Sequence, residues 1–212
     1  MTSLAELVVG GSCGPWVALG LPLGDDGSVT IGPVRLCFDA AAPAGLWSLG
    51  IFAGPDPLPD EVDGVALHAA EPPEAPELSN PLGAIGVDHV VVSTPDLDRT
   101  VAAITTGLGV EPRRTRTEPT GSGDRLHQVF FRLGPIIVEV VGPPVPDVQA
   151  ASAAARLWGL VLLVSDIEVA TAVLGPERVG PSKAAVQPGR TIATLRSAAG
   201  LGLPVALLSS RS

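Results

Sequence analysis

Two residues of different chemistry, His89 and Glu139, lie in apolar stretches that are typical of β-strands. His89 belongs to Gly-Val-Asp-His-Val-Val-Val-Ser and Glu139 to Ile-Ile-Val-Glu-Val-Val. Burial of an unpaired carboxylate is unfavourable, so Glu139 needs a histidine, an arginine, a metal or its own proton as a partner. Imidazole and carboxylate are both ligands that divalent cations accept. The pair therefore predicts a polar site inside an apolar sheet, with Glu139 as the candidate for proton transfer.

A third residue extends the candidate metal site. His127 lies at the start of the strand that precedes Glu139 and could complete a His89/His127/Glu139 triad for Fe(II) or Mn(II). Its position beside Arg125 instead favours exposure to solvent. Both alternatives stay open from the sequence.

Five side chains are candidates for substrate contacts. Arg190 follows Gln-Pro-Gly in a loop and could bind a carboxylate or phosphate through two N–H groups, assisted by Arg196. The alternatives are a solvated Arg190, and an ion pair of Glu139 with Arg132 or Arg196. Trp158 is expected in the core or in the wall of a pocket. The candidate substrate contacts are Arg132, Trp158, Gln187, Arg190 and Arg196.

The elements that hold these residues occur twice. Residues 86–142 show the pattern strand, helix, strands, and residues 156–209 show the same order, which indicates an internal repeat of βαβββ units. Aligning Pro95-Asp96-Leu97 with Ser165-Asp166-Ile167 places Gly159 opposite His89. Aligning the last strands places Ala206 opposite Glu139. The second unit therefore lacks both candidate ligands.

Residues 1–80 are predicted to be a β-rich degenerate module followed by a linker. The stretch 31–37 resembles 133–139 and places Cys37 where Glu139 lies. Residues 54–82 are rich in proline and acidic residues, and 71–77 are typical of an extended polyproline linker. The predicted domains are 1–80 and 81–212, the second containing modules 84–142 and 156–209.

Charge and composition exclude several classes of protein. The net charge is -9, and residues 1–80 carry 11 of the 22 acidic but only one of the 13 basic residues. No run of arginines exceeds Arg113-Arg114, which argues against nucleic acid as a partner. Cys13 and Cys37 lack the spacing of a disulfide framework or zinc knuckle. The start of the chain has no basic leader, and its longest apolar run, 157–164, is too short to span a membrane. A cytoplasmic protein without membrane partners is expected.

The Val-Asp-His-Val-Val-Val strand, the Thr-Pro-Asp-Leu helix start, the Ile-Val-Glu strand end and the tandem layout resemble the vicinal oxygen chelate superfamily. This superfamily includes glyoxalase I, bleomycin-resistance and fosfomycin-resistance proteins and extradiol dioxygenases. The resemblance implies an α+β fold in which tandem βαβββ modules form a cup-shaped, mostly antiparallel sheet. It also implies a divalent cation (Mn, Fe, Ni, Zn or Mg), held by the first and last strands of each module, and a homodimer as one form of assembly.

His89 and Glu139 match the ligand positions of the first module in such enzymes, whereas Gly159 and Ala206 supply no ligand. Two protein ligands rarely hold a catalytic metal tightly, so any metal is expected to be weakly held. The favoured function is metal-free binding of a small molecule in the cup, as in bleomycin-resistance proteins. The alternative is a divalent-metal-dependent lyase, isomerase or dioxygenase. A third hypothesis is a pseudo-enzyme whose N-terminal part fills the cup and serves assembly.

Overall fold

The computed structural model describes residues 1–74, 80–119, 125–146 and 152–210, with the backbone alone at 118, 119 and 125. The linker predicted at 71–77 lies partly outside these residues. Within them the chain forms two β-sheets, here called the first and the second sheet. No described helix has the length and apolar character needed to cross a membrane.

The first sheet is built from the N-terminal part, with strand order β2-β3-β1-β4-β6-β5 and a short helix between β1 and β2. Its elements are β1 (Ser3–Gly10), α1 (Gly14–Ala18), β2 (Val29–Ile31), β3 (Val34–Asp39), β4 (Gly45–Phe52), β5 (Glu61–Val62) and β6 (Val65–Ala69). β1 is parallel to β3, β4 is parallel to β6, and β1 and β4 are antiparallel. The sheet thus consists of two shortened halves, where the sequence predicted one degenerate module. The hairpin of β5 and β6 was missed because it lies in the proline-rich stretch.

The second sheet has strand order β12-β13-β14-β11-β7-β10-β9-β8. Its elements are β7 (Ala84–Ser93), α2 (Leu97–Leu108), β8 (Arg114–Pro119), β9 (Arg125–Leu133), β10 (Ile136–Gly142), β11 (Arg156–Val164), α3 (Ile167–Leu174), β12 (Lys183–Ala184), β13 (Thr191–Thr194) and β14 (Val205–Ser209). β7 is parallel to β10, β11 is parallel to β14, and the antiparallel pair β7–β11 joins two βαβββ modules. The predicted α+β class with tandem modules and a mostly antiparallel sheet is confirmed.

Helices α2 and α3 begin at equivalent points of the two modules. Asp96 accepts a hydrogen bond from the backbone N–H of Arg99, and Asp166 accepts from those of Glu168 and Val169. These carboxylates satisfy N–H groups that the first helical turn leaves without partners. The two caps are related by the same shift that the sequence repeat predicted.

Both sheets share one hydrophobic core. Leu7 and Leu49 of the first sheet belong to the same buried cluster as Val90 and Leu162 of the second. Helices α2 and α3 contribute buried side chains to this cluster and cover one face of the second sheet. The N-terminal part therefore packs directly on the two modules, and the opposite face of the second sheet is left for a site.

Asp63, in the turn between β5 and β6, connects the first sheet to the two modules of the second sheet. Its carboxylate accepts hydrogen bonds from Arg99 Nε at 2.8 Å and Nη2 at 3.2 Å, and from the hydroxyl of Thr100. Its backbone carbonyl accepts from the N–H of Ala155 at 2.9 Å. This turn fixes the position of α2 and of the start of β11 relative to the first sheet.

Candidate functional site

The face of the second sheet opposite the helices encloses a cavity of about 1200 Å3, here called the cup cavity. Both modules contribute to its wall. The side chains of the sheet that line it include His89, Gln128, Phe130, Ile137, Glu139, Ile192 and Leu208. Its remaining charged lining residues, among those the structure describes, are Glu111, Arg113, Arg114, Arg116 and Arg132. The cup cavity is large enough for a small-molecule ligand.

His89 and Glu139 meet at the floor of the cup cavity. They lie on the adjacent parallel strands β7 and β10, where His89 pairs with Ile137 and Glu139 pairs with Val91. His89 Nε2 and Glu139 Oε2 are 3.4 Å apart, and both side chains are largely buried. The structure therefore brings together the two residues on which the sequence prediction depended.

A hydrogen-bond chain runs from Glu139 toward the edge of the sheet. Gln128 Nε2 donates to Glu139 Oε1 at 2.6 Å, and Arg116 Nε donates to Gln128 Oε1 at 2.9 Å. The sequence did not identify either residue, and residues 113–123 showed only a polar stretch without a predicted strand. Residues 114–119 instead form the edge strand β8, which pairs with β9. The available signal was period-2 alternation in β9, which places Gln128 and Phe130 on one face.

The chain continues from His89 in the other direction. His89 Nδ1 is 2.9 Å from Asp88 Oδ2, and Arg190 Nη1 donates to Asp88 Oδ1 at 2.8 Å. Arg190 is buried, and its Nε donates to the carbonyl of Ser209 at 2.7 Å while its Nη1 also donates to Gln187 Oε1. Arg190 thus connects the loop before β13 to the floor of the cup cavity.

The contact between the neighbouring residues Asp88 and His89 departs from regular strand geometry. Simple alternation places them on opposite faces of β7. In the structure His89 pairs with Val161 but Val87 pairs with Leu162, so Asp88 is the extra residue of a β-bulge. A bulge turns a side chain away from its regular direction and leaves it unpaired in the ladder. This irregularity is what allows Asp88 to reach the imidazole of its neighbour.

The electrostatics of Asp88 fix the role of His89. Burial by itself would raise the pKa of Asp88, but the hydrogen bonds from His89 and Arg190 outweigh it and hold that pKa below its ordinary value. Because Asp88 is ionised at neutral pH, it accepts a hydrogen bond from Nδ1–H of His89. Nε2 then faces Glu139 across the cup cavity floor. This arrangement suits an acid–base pair or a hydrogen-bonding anchor for a ligand.

The second module offers no equivalent polar group. Glu139 pairs with Val91 and Ala206 pairs with Val161, so the repeat register predicted from the sequence also describes the strand pairing. Ala206 is buried in a small apolar cluster with Val161 and Leu208. A side chain at Gly159 would start only 2.4 Å from the carbonyl oxygen of Pro204. Gly159 and Ala206 therefore supply no metal-ligating side chain, and a side chain at position 159 would clash with the backbone of Pro204.

His127 does not join His89 and Glu139. It lies on β9 one residue before Gln128, and strand alternation places it on the face of the buried core residues Val129 and Phe131. The described residues contain no group of three histidine, cysteine, aspartate or glutamate side chains that could hold a metal ion. Two donors, His89 and Glu139, do not fit a permanently bound divalent metal.

The remaining predicted contacts divide between two regions. Arg132 and Gln187 line the cup cavity, and Arg132 Nε also donates to the carbonyl of Gly134 at 2.9 Å. Arg190 lies behind this lining, as described above. Arg196 donates to the carbonyl of Val179 at 3.2 Å, and Trp158 lines a separate groove of about 490 Å3. Arg196 and Trp158 are thus not brought to the cup cavity.

The first sheet repeats the geometry of the site with other residues. Cys37 pairs with Val8 as Glu139 pairs with Val91, and Glu6 precedes Val8 by the same two positions as His89 precedes Val91. Glu6 forms an ion pair with Arg35 at 2.8 Å and a hydrogen bond with Nε2 of His68 at 3.0 Å. Burial, together with the nearby Glu6 carboxylate, raises the pKa of the Cys37 thiol to about 11. Glu6, Arg35 and His68 of the first sheet are thus bonded to one another.

No protein-family model matches the sequence, and a comparison with curated proteins finds no match. Among solved structures, a triple variant of 4-hydroxymandelate synthase from Streptomyces coelicolor aligns with a TM-score of 0.62 and 15% identity. That alignment covers 99% of this chain and 94% of the synthase chain.

Methylmalonyl-CoA epimerase from Mycobacterium tuberculosis aligns with a TM-score of 0.47 and 15% identity, covering 61% of this chain and 91% of the epimerase. The synthase alignment is close enough to assign a fold. It agrees with the paired modules, the strand order and the cup described above. The chain has the fold of the vicinal oxygen chelate superfamily, as the resemblance of its sequence predicted.

Proposed function

We propose that the chain binds a small organic molecule in the cup cavity, without a tightly held metal. One observation carries this proposal: the cup cavity is large, and its polar floor, His89 and Glu139, comes from the first module. Ligand sites in proteins are commonly of this kind, largely apolar with a few polar groups that fix orientation. The cavity volume of about 1200 Å3 is ample for a ligand of ordinary metabolite size.

The polar floor is built to present hydrogen-bonding atoms in fixed positions. Gln128 holds Glu139 from one side, and Asp88 holds His89 from the other. Side chains held in this way lose little further freedom when a ligand binds, which favours affinity. The His89–Glu139 pair can donate or accept a proton toward a bound molecule, so it supports selective recognition of a polar group.

A divalent-metal-dependent lyase, isomerase or dioxygenase is the second candidate. The contact between Asp88 and His89 favours it, because metal-binding histidines often direct their second nitrogen to a carboxylate. Against it, His89 and Glu139 are only two protein donors, fewer than a tightly bound catalytic metal requires.

A ligand screen by thermal unfolding tests the primary proposal. A bound molecule raises the melting temperature, by an amount that grows with the logarithm of the ratio of its concentration to its Kd. We expect at least one small molecule to stabilise the wild-type protein, and His89→Gln or Glu139→Gln to weaken its binding by about tenfold, since each removes a hydrogen bond to a charged group. Trp158→Ala, in the separate groove, is the matched control and should leave that affinity unchanged.

Two results would contradict the proposal. Ligands whose binding depends on Trp158 but not on His89 or Glu139 would place the site elsewhere. One equivalent of metal that survives dialysis against a chelator, found by elemental analysis, would favour the metal-dependent enzyme.

A further inference from the structure

The lining of the cup cavity is positively charged although the protein as a whole is acidic. The charged residues that line it, among those described, are Glu111, Glu139 and four arginines. These arginines are Arg113, Arg114, Arg116 and Arg132. Their formal charges sum to +2, whereas the net charge of the chain is -9. Grouping of arginines in one concave wall produces a local positive potential that the acidic N-terminal part does not share.

The strand pairing explains why the arginines share a wall. Arg114 and Arg116 alternate along β8, and Arg114 pairs with Phe130 of β9. Arg132 follows Phe130 by two residues on β9 and therefore points to the same face. Arg116 is engaged with Gln128 at the floor. Arg114 and Arg132 are exposed, so they form the outer part of the wall.

The wall contributed by the second module is apolar except for Gln187. Ile192 and Leu208 line the cup cavity from β13 and β14, and Val186 adds to them from the loop before β13. Val186 is 60% exposed, and it is an apolar side chain that a ligand at the mouth would cover. The cup cavity therefore has a cationic wall facing an aliphatic one.

We propose that the ligand is an organic anion with an apolar body, its carboxylate or phosphate held by Arg114 and Arg132. This rests on the proposed function and specifies the ligand class. Guanidinium groups match carboxylate and phosphate oxygens in geometry and form strong, charge-assisted hydrogen bonds. Ile192, Leu208 and Val186 bury the apolar body, and the His89–Glu139 floor contacts a polar group at its far end.

A matched pair of fluorescent probes tests this ligand class. 8-Anilinonaphthalene-1-sulfonate carries an anionic group, and N-phenyl-1-naphthylamine has the same aromatic frame without it. We expect the wild-type protein to bind the sulfonate at least tenfold more tightly than the neutral amine in fluorescence titrations. The double variant Arg114→Gln/Arg132→Gln should lose this preference while keeping its affinity for the amine. Arg156→Gln, which removes an exposed arginine at the separate groove, is the matched control and should keep the preference.

Displacement of the sulfonate identifies the acidic group. Octanoate, octyl phosphate and octanol share one chain length, and stronger displacement by either anion than by octanol supports the proposal and names the preferred acid. Equal displacement by octanol, or an unchanged preference in the double variant, overturns the ligand class and leaves the proposed function standing. If neither probe binds and the thermal screen also finds no ligand, both are overturned. Circular dichroism confirms that each variant is folded.

Discussion

The buried ion pair between Arg190 and Asp88 leads to a quantitative prediction. The side chain of Arg190 is 5% exposed and that of Asp88 is 11% exposed. Arg190→Gln removes the cation and leaves the Asp88 carboxylate with His89 as its remaining side-chain hydrogen-bond partner. Breaking a buried pair by removing one member costs about 3–5 kcal/mol of unfolding free energy. Because glutamine can keep part of the hydrogen bonding, we expect a loss near the lower value, about 3 kcal/mol.

The loss should depend on pH in a definite direction. The pKa of Asp88 in the folded protein lies below its ordinary value of 3.8, since hydrogen bonds from His89 and Arg190 outweigh the effect of burial. A carboxylate with a lowered pKa stabilises the fold above that ordinary value, and this stabilisation is lost as the pH falls through the folded pKa. The difference between wild type and Arg190→Gln should therefore be largest near neutral pH and should shrink in acid.

Urea unfolding followed by circular dichroism, at neutral pH and again in acid well below the ordinary Asp88 pKa of 3.8, measures this difference. Arg178→Gln is the control, because Arg178 is an exposed arginine whose Nη1 donates to the carbonyl of Ala18. It should cost less than about 1 kcal/mol. A loss below about 1 kcal/mol for Arg190→Gln, or an equal loss at both pH values, would refute the assignment of a structural ion pair beneath the site.

Three further predictions concern other parts of the chain. Asp63→Ala should lower the unfolding free energy by about 2 kcal/mol in thermal denaturation, because it removes the hydrogen bonds from Arg99 that join the sheets; no loss would contradict this role. Gly159→Ala should cost about 1–3 kcal/mol by the same measurement, since its Cβ would lie 2.4 Å from the Pro204 carbonyl oxygen. An unchanged unfolding free energy would show that the strand moves to accommodate the added methyl group. Alkylation of Cys37 by iodoacetamide at neutral pH, followed by mass spectrometry, should be much slower in the folded protein than in urea, because its pKa is about 11. Equal rates would contradict burial of the thiol.

Much of the second sheet could be predicted because its pattern is local. The apolar strands β7, β10 and β11 and the capped helices α2 and α3 are continuous segments whose spacing defines the module repeat. Two elements were not predicted from the sequence. β8 is an edge strand with arginines on its cavity face, so it lacks an apolar signal, and the β5–β6 hairpin lies in a stretch whose prolines and acidic residues predicted a linker.

The central pair of the site could be predicted from the sequence. His89 and Glu139 occupy the first and last strands of one module, and these strands are neighbours in the fold that the sequence resembles. The partners of the pair were not predictable. Gln128 reaches Glu139 because β9 borders β10, and Asp88 reaches His89 through a bulge. Neither the pairing order nor the bulge leaves a pattern in the sequence.

The sequence by itself determined the module repeat, the polar pair in the first module and the absence of ligands at Gly159 and Ala206. These depend on residue identity and short-range periodicity. Only the tertiary structure decided that Arg190 is buried beneath the floor, that Gln128 contacts Glu139, and that arginines of β8 and β9 line the cup cavity. Such contacts join residues that are distant in the chain, and their geometry follows from how strands pair and twist rather than from the order of residues along any one strand.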